Sequence, residues 1–462
     1  MKKNQPKIIF RKEVSRIINN TLSFDGTINP IKTPSLRANF IWTLVGNCTY
    51  AASQWGILIL ISKLGTIEIV GKFALALAIT APVIIFSNLA LRAVQATDAS
   101  KTYKFGHYLA LRLATTSAAF LTIIGIVTVM RYPWDTSLVI LIVGLAKSFE
   151  SISDVIYGLL QQHEWMDKIS ISMIVKSLLS LLGVAAGLFL GKILFWGIVG
   201  LAAAWGLTLV MYDLPVGKRL VEAENAPSTA ERRDKRLRPL WNWDQIFRLV
   251  RVTLPLGIAT SMVSINLNIP RYFLERSFGE HNLGIFAALA YPLTAGTIVV
   301  NALGQAASPR LAKYFECRDV KNFRKLLLTL TSMGFLMGIA GIILVLFFGR
   351  QLLGMIYQAE YANYGREFLW LALAAGIEFT FSFMGYGMTA AHYFKIAPVI
   401  YFLSIVLSVG LGYLLIPVYG ILGAIQVILI TTCFRSVAMM GVNIYALRKR
   451  TGMKLEILNE DL

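Results

Sequence analysis

Long apolar runs alternate with short polar segments along almost the whole chain. An α-helix needs a run of about 20 apolar residues to cross the hydrocarbon core of a membrane. By this criterion the sequence predicts twelve spans, at 40–61, 73–94, 108–130, 137–160, 169–190, 193–214, 249–274, 283–308, 326–348, 368–390, 396–416 and 421–447. We therefore expect an all-α integral membrane protein.

The longest polar interval, residues 216–247, divides these spans into two groups of six. We expect an amino-terminal extension (1–37), a first six-helix lobe (38–215), a loop (216–247), a second six-helix lobe (248–447) and a tail (448–462). An internal repeat with an offset of 213 residues supports this division, because it aligns Gly71, Phe73, Ala74 and Asn88 with Gly284, Phe286, Ala287 and Asn301. Since six is an even number, the lobes are parallel, as in transporters that have a central cavity.

Composition agrees with a membrane protein, since 56% of the 462 residues are hydrophobic and 15% are charged. The net charge of +19 is unevenly placed. If the amino terminus is cytoplasmic, cytoplasmic segments hold most of the Lys and Arg, and the opposite loops hold few, among them Lys63, Arg131, Lys192, Arg276 and Arg350. Such an excess marks the cytoplasmic face, so we expect both termini there. The basic charge then serves insertion and contact with anionic membrane lipid, and we expect no nucleic-acid partner.

Three charged residues, Lys147, Glu150 and Asp154, interrupt the predicted span 137–160. Helical positions i, i+3 and i+7 fall within an arc of about 60°, so these side chains share one face. Lys147 is expected about 15 Å into a hydrocarbon core about 30 Å thick. An ion at that depth costs about 2.5 kcal/mol or more unless it meets a partner or water. Charges retained at this cost indicate a functional site.

Neither cysteine spacing nor a nucleotide-binding motif indicates a cofactor. Cys48 and Cys433 lie in predicted spans and Cys317 lies in a loop, so we expect neither a disulfide framework nor a metal site. The sequence contains no G-x-x-x-x-G-K-[ST] phosphate loop.

Short motifs follow one another in an order that resembles a known family. They are Gly46-Asn47, Gln54-Trp55-Gly56, Leu64-Gly65, Gly71-x-Phe73-Ala74-Leu75-Ala76, Asn88-Leu89-Ala90-Leu91-Arg92, Tyr157-Gly158-Leu159-Leu160-Gln161, Pro270-Arg271-Tyr272 and Ser308-Pro309-Arg310-Leu311-Ala312. Together they resemble the bacterial lipid-linked oligosaccharide flippases of the polysaccharide-exporter group, over roughly residues 37–447.

The resemblance implies the multidrug, oligosaccharidyl-lipid and polysaccharide exporter fold. In this fold two six-helix bundles form a V that alternates between inward-open and outward-open forms. The implied substrate is an undecaprenyl-diphosphate oligosaccharide, flipped across the bacterial cytoplasmic membrane for O-antigen, capsule or exopolysaccharide synthesis. A polysaccharide polymerase and chain-length machinery are the protein partners that this role suggests.

A diphosphate headgroup needs cations in the cavity, preferably including arginine, which binds phosphate in a bidentate manner. The candidates are Lys147, Lys176, Arg271, Arg435 and Arg92. Structural alternatives stay open for all five. Lys147 could simply pair with Glu150, and Arg435 could pack against a helix carbonyl. Lys176 and Arg271 could snorkel to the membrane interface, and Arg92 could anchor the end of its span there.

Directional export also needs a source of free energy, and without a phosphate loop an ion gradient is the natural proposal. The embedded carboxylates that could carry a proton or sodium ion are Glu378, Glu150 and Asp154. We expect Glu378 to stand alone and to be the group that protonates. The alternative is a neutral acid that is hydrogen-bonded to a serine or tyrosine.

Two other functions stay open. A multidrug and toxin extrusion antiporter of the same fold would favour an acidic cavity, and four embedded cations against three carboxylates do not decide the matter. A polysaccharide polymerase or ligase would need an external catalytic loop, and the longest external segment, 349–366, shows no catalytic constellation. We therefore expect a transporter without catalytic residues.

Overall fold

A computed structural model of the chain describes residues 36–98, 102–191, 193–224 and 237–460. The predicted extension (except residues 36 and 37), the middle of the predicted loop and the last residues of the tail lie outside the described residues. Every regular element in the described ranges is helical. Below, residues 36–224 are called the first half and residues 237–460 the second half.

The first half contains α1 (Leu36–Leu64), α2 (Ile67–Asn88), α3 (Leu91–Thr97), α4 (Phe105–Met130), α5 (Trp134–Gln162), α6 (Met166–Gly191), α7 (Leu194–Thr208) and α8 (Leu214–Glu224). A five-residue π-helix, Leu209–Asp213, joins α7 to α8. The second half contains α9 (Trp243–Glu316), α10 (Val320–Ile356), α11 (Gly365–Ala390), α12 (Ala397–Tyr419) and α13 (Ile421–Glu460). Two short 3₁₀ helices, Ala359–Tyr364 and Phe394–Ile396, precede α11 and α12.

Ten helices in the described residues are long and apolar enough to cross a membrane, which confirms the all-α integral membrane fold. The charged helix α5 is not one of these ten. The 74-residue α9 counts once, although the predicted spans 249–274 and 283–308 both lie in it. Gly279 interrupts α9 with φ 76° and ψ −174°, a conformation that essentially requires glycine. The total of twelve spans stays a prediction.

The backbone turns between α2 and α3, inside the predicted span 73–94. Leu89 and Ala90 both adopt left-handed conformations with φ 49°. At this turn the guanidinium of Arg112 in α4 donates a hydrogen bond to the side-chain oxygen of Asn88. Neither glycine nor proline marks the turn in the sequence, so the apolar pattern runs through it without a signal.

Gly71 of α2 and Gly284 of α9, which the internal repeat aligns, both lie where the two halves meet. A Cβ atom added to Gly71 would lie 1.8 Å from the carbonyl oxygen of Glu280, and one added to Gly284 would lie 2.2 Å from that of Ile67. Glycine is needed here because the two backbones approach so closely. The largest cluster of buried apolar side chains continues across this contact.

Most side-chain polar contacts between the two halves lie near one end of the bundle. The side-chain contacts there join His281 to Glu68 (2.7 Å), Lys72 to Glu280 (3.8 Å), Thr136 to Glu280 (2.6 Å) and Gln358 to the carbonyl oxygens of Ser62 (2.6 Å) and Gly65 (2.9 Å). We call this the closed end. It includes Gly279 and the segments that join α1 to α2 and α4 to α5. The distribution of basic residues predicts that it faces away from the cytoplasm.

Candidate functional site

The charged stripe of α5 divides into two groups in the structure. Lys147, Glu150 and Asp154 are each partly exposed, whereas most side chains between them are buried. Lys147 and Glu150 contact one another, but Asp154 pairs with residues of other helices. All three residues lie in the continuous helix α5 and share one of its faces, as predicted. They differ in the residues with which they form ion pairs.

The first group is the lysine cluster, formed by Lys147, Glu150 and Lys176. Lys147 Nζ lies 2.9 Å from Glu150 Oε2, and Lys176 Nζ of α6 lies 3.7 Å from Glu150 Oε1. Tyr50 of α1 donates its hydroxyl hydrogen to Glu150 Oε1. Lys176 is only 2% exposed, so it is held inside the bundle and does not snorkel to the interface. Two ammonium groups against one carboxylate leave this cluster with an excess of positive charge.

Aromatic rings surround the two ammonium groups. Lys147 Nζ lies 4.8 Å from the ring centroid of Trp205. Lys176 Nζ lies 5.4 Å from the rings of Trp205 and Tyr157 and 5.6 Å from that of Tyr50. A desolvated cation gains about 2 kcal/mol from such a contact. The rings therefore help to keep two like charges inside one cluster.

The second group is the arginine cluster, formed by Arg92, Arg112 and Asp154. Arg112 Nη2 lies 3.0 Å from Asp154 Oδ2, and Arg92 Nη1 lies 3.5 Å from Asp154 Oδ1. Arg92 Nε also donates to Gln161 Oε1 at 3.0 Å. The side chain of Arg112 is completely buried. The sequence analysis missed Arg112, although an arginine inside the apolar run 108–130 was a signal that could have found it.

Tyr157 joins the two clusters. Its ring centroid lies 5.5 Å from the guanidinium carbon of Arg92 and 5.4 Å from Lys176 Nζ. The lysine and arginine clusters are therefore neighbours, and together they contain four cations and two carboxylates.

Arg271 of α9 has no acidic partner within ion-pair distance in the described part of the chain. Its Nη1 donates to Asn268 Oδ1 at 3.1 Å, and its buried Nε has no hydrogen-bond partner. Because Nε is buried, simple snorkelling to the interface does not describe this side chain.

The expectation that Glu378 stands alone is wrong. Arg435 Nη2 of α13 lies 2.8 Å from Glu378 Oε2 of α11, and it also donates to Thr432 Oγ1 at 3.2 Å. The guanidinium carbon lies 5.9 Å from the ring centroid of Tyr401. The two residues are separated by 57 positions and lie on different helices, so nothing in the local sequence around Glu378 revealed its partner.

A family model described as polysaccharide biosynthesis protein matches residues 36–315. The chain belongs to the polysaccharide biosynthesis protein family. The capsular polysaccharide biosynthesis protein CapF of Staphylococcus aureus is 30% identical over 399 residues, which cover 85% of this chain and 95% of CapF. Membership of a polysaccharide biosynthesis family agrees with the resemblance found in the sequence.

Solved transporter structures share the fold of this family member. A multidrug resistance transporter of the MATE family and MOP superfamily, in an inward-facing conformation, gives a TM-score of 0.66 at 16% identity, covering 89% of this chain and 99% of its own. A MOP superfamily transporter from Pyrococcus furiosus, whose binding pocket is described as having reverse polarity, gives a TM-score of 0.61 at 16% identity, covering 90% and 95%. The resemblance to a polysaccharide biosynthesis family is confirmed, and the fold is shared with transporters of the MOP superfamily.

This polysaccharide biosynthesis protein is therefore a multi-pass membrane protein with a transporter fold. No group of three or more His, Cys, Asp or Glu side chains in the described ranges is placed to hold a metal ion. The charged groups of the two clusters are ammonium, guanidinium and carboxylate groups.

The sequence analysis of this family member also missed Asp213, at the end of the π-helix that follows α7. Its side chain is buried, and its two carboxylate oxygens accept hydrogen bonds from Ser153 (2.6 Å) and Ser172 (2.5 Å). Ser172 is also hydrogen-bonded to the hydroxyl of Tyr157 at 2.6 Å. Asp213 is thus connected to the ring that joins the two cationic clusters.

Proposed function

We propose that the protein flips an undecaprenyl-diphosphate-linked oligosaccharide from the cytoplasmic to the outer leaflet of the bacterial cytoplasmic membrane, driven by a proton or sodium gradient. The observation that carries this proposal is the excess of cations in the interior. The lysine and arginine clusters hold four cations against two carboxylates, and Arg271 has no acidic partner among the described residues. Family membership supplies the biosynthetic context.

An anionic headgroup would complete the charge balance of these clusters. Uncompensated charge is expensive inside a membrane, so a diphosphate gains energy here that it cannot gain from hydrocarbon. Arg92 and Arg271 suit bidentate contacts with phosphate oxygens, whereas Lys147 and Lys176 act as point charges. Glu150 and Asp154 then keep the cations in position when the headgroup is absent.

Arg435 and Glu378 form a nearly neutral pair, so their proposed roles depend on one another. If a proton or sodium ion binds Glu378, it replaces Arg435 as the compensating charge. Arg435 is then free to contact the headgroup. Replacement of Arg435 by the ion at Glu378 would therefore link ion uptake to substrate contact in the second half.

Contacts at the closed end support transport by alternating access. They join the two halves through a few hydrogen bonds and ion pairs, several of which are partly exposed. A partly exposed ion pair contributes about 0–1 kcal/mol, so such contacts can break and re-form during a transport cycle. Opening of the closed end would release the oligosaccharide on the far side of the membrane.

The deciding experiment is deletion of the protein in its host, followed by identification of the lipid-linked intermediates. We expect an undecaprenyl-diphosphate oligosaccharide to accumulate and surface polysaccharide to disappear. The wild-type chain and the surface control Lys218→Ala restore the polysaccharide, whereas Lys147→Ala at equal protein level does not. Absence of an accumulated lipid-linked sugar refutes the proposed function, and full activity of Lys147→Ala removes the lysine cluster from it.

A multidrug antiporter is the second candidate, because the MATE family transporter shares the fold. An organic cation would have to enter a region where cations already exceed carboxylates, which disfavours this candidate. The same deletion strain separates the two functions. An antiporter predicts greater sensitivity to cationic drugs, whereas the proposed flippase predicts unchanged sensitivity and loss of polysaccharide.

A further inference from the structure

Asp213 is a buried carboxylate without a cationic partner. Its side chain is 1% exposed, and no lysine or arginine nitrogen in the described ranges lies within 4.0 Å of it. The other embedded acids differ in this respect. Glu150 pairs with Lys147 and Lys176, Asp154 pairs with Arg92 and Arg112, and Glu378 pairs with Arg435.

A carboxylate that is buried in this way needs compensation. Burial of an ion costs several kcal/mol even after relaxation, and hydrogen bonds from two neutral hydroxyls offset only part of that cost. Either a proton neutralises the group or a bound cation balances its charge. Asp213 therefore needs a compensating positive charge, which lysine and arginine side chains already supply at Glu150, Asp154 and Glu378.

The groups around Asp213 are oxygen atoms from three helical segments. They comprise both carboxylate oxygens, the hydroxyls of Ser153 in α5 and Ser172 in α6, and, beyond Ser172, the hydroxyl of Tyr157. All three hydroxyl residues are buried. Oxygen ligands suit a proton or a hard alkali cation, and they do not suit a soft transition metal.

The backbone at Asp213 is unusual in a way that agrees with a functional role. Residues Leu209–Asp213 form a π-helix inside an otherwise continuous run of α-helix. Such segments are rare, and they occur frequently at functional sites. The widened turn carries the Asp213 carboxylate inward to Ser153 and Ser172, on the two neighbouring helices.

The position also connects Asp213 to the candidate headgroup site. Ser172 bridges its carboxylate to Tyr157, whose ring centroid lies 5.5 Å from the Arg92 guanidinium carbon and 5.4 Å from Lys176 Nζ. Lys176 from α6 acts on Asp213 electrostatically, and Asp213 in turn acts on the hydroxyls of Tyr157 from α5 and of Tyr212 beside it. A change in charge at Asp213 is therefore felt by the lysine cluster and by Tyr157.

From these observations we propose that Asp213 is a second site, in addition to Glu378, at which the protein takes up and releases a coupling cation, a proton or a sodium ion. The proposal rests on the proposed function, because it names a further ion site of that transporter. It also places the site in the first half, at a residue that needs no exchange with an existing ion-pair partner. Ser153, Ser172 and Tyr157 complete the site and transmit its charge state to Arg92 and Lys176.

The test uses the purified full chain in detergent, without any lipid-linked sugar. Binding of radioactive sodium and uptake of protons on acidification are measured for the wild type, for Asp213→Asn and for Glu222→Gln. Glu222 is the matched control, an exposed acid in the same half that pairs with Lys218. We expect the wild type and Glu222→Gln to bind one more sodium ion per chain than Asp213→Asn, or to take up one more proton between about pH 8 and about pH 6, where an exposed glutamate with a pKa of about 4.3 stays ionised.

Equal sodium binding and equal proton uptake in the wild type and Asp213→Asn overturn the proposal. If Asp213→Asn does not fold, the Ser153→Ala and Ser172→Ala double variant replaces it, and infrared spectroscopy follows the carboxyl group. A pH-dependent carboxyl band that this double variant leaves unshifted also overturns the proposal. Because no sugar substrate is present, either result leaves the proposed function to be judged separately by the deletion strain.

Discussion

Arg112 is a completely buried cation whose guanidinium contacts the Asp154 carboxylate and the Asn88 side chain. Replacement by methionine preserves most of the apolar volume but leaves Asp154 with Arg92 alone. Loss of a charged hydrogen bond that leaves a partner uncompensated costs about 2 kcal/mol. We therefore expect Arg112→Met to lower the free energy of unfolding by about 2 kcal/mol, measured by thermal unfolding in detergent.

Arg92→Met is the matched control for this prediction. Arg92 is partly exposed and lies farther from Asp154, so its removal is expected to cost much less stability. Equal decreases in the free energy of unfolding for the two variants would show that burial does not determine how much each arginine of the cluster stabilises the protein.

Asp98 gives a pH-dependent prediction outside the membrane spans. Burial alone would raise the pKa of its carboxyl group, but the backbone N–H groups of Thr102 and Tyr103 donate to the carboxylate and lower the pKa below its usual value. A lowered folded-state pKa contributes stability above the unfolded value of about 3.9. That stability is lost as the pH falls through the folded-state pKa.

We expect Asp98→Asn to be less stable than the wild type at neutral pH, with a smaller difference once the wild-type carboxylate is protonated in acid. Thermal unfolding across this pH range measures the difference. A difference that stays constant with pH would contradict a role for the ionised carboxylate.

The sequence located most of the charged side chains of the candidate site but few of their partners. The common face of Lys147, Glu150 and Asp154 follows from helical periodicity alone. Lys176 and Arg112 reach these carboxylates from α6 and α4, so the pairs depend on how the helices pack. Asp213 was missed because it lies at the end of an apolar run, where an acid looks like an ordinary interfacial residue.

At the scale of elements, apolar runs predicted where helices lie because membrane helices must satisfy their backbone hydrogen bonds internally. They did not predict the turn at Leu89 and Ala90, since neither residue is a helix breaker. They also did not predict the π-helix Leu209–Asp213, because one additional residue per turn leaves hydropathy unchanged. Tertiary contacts made by Asn88 and Asp213 accompany these two features.

Two glycine substitutions are expected to differ in their effect on stability, because Gly71 lies where α2 and α9 approach closely and Gly125 of α4 faces open space. Gly71→Ala places a methyl group against the Glu280 carbonyl, so the helices must separate, at a cost of about 1–3 kcal/mol. Gly125 has no atom within 4 Å of an added Cβ, so Gly125→Ala is expected to be neutral or stabilising by up to about 1 kcal/mol. Thermal unfolding compares them, and equal stability of both variants would refute this packing.

At the scale of the whole molecule, the contacts of the closed end set how readily the two halves separate there. Loss of Lys72 and His281 removes the ion pairs to Glu280 and Glu68. We expect the Lys72→Ala and His281→Ala double variant to populate open forms more often. A cysteine at Ser62, which is 1% exposed, should then react faster with a membrane-impermeant thiol reagent.

The reactions are compared in a chain whose native cysteines are replaced by serine. Lys63→Ala is the control, because Lys63 lies at the same end and makes no ion pair in the described part of the chain. Labelling that is no faster in the double variant than in Lys63→Ala would mean that these ion pairs do not hold the end closed.

Family membership locates this protein in polysaccharide biosynthesis, and our proposal that it carries a lipid-linked sugar depends on the positive charge of its interior. The most direct test is transport in liposomes that contain the purified protein and a polyprenyl-diphosphate oligosaccharide with a fluorescent sugar. A membrane-impermeant reductant quenches label in the outer leaflet only. We expect the wild type to expose nearly all of the label, and the Lys147→Met and Lys176→Met double variant to behave like protein-free liposomes. If the wild type exposes no more label than protein-free liposomes, a cationic interior that carries lipid-linked sugar is contradicted.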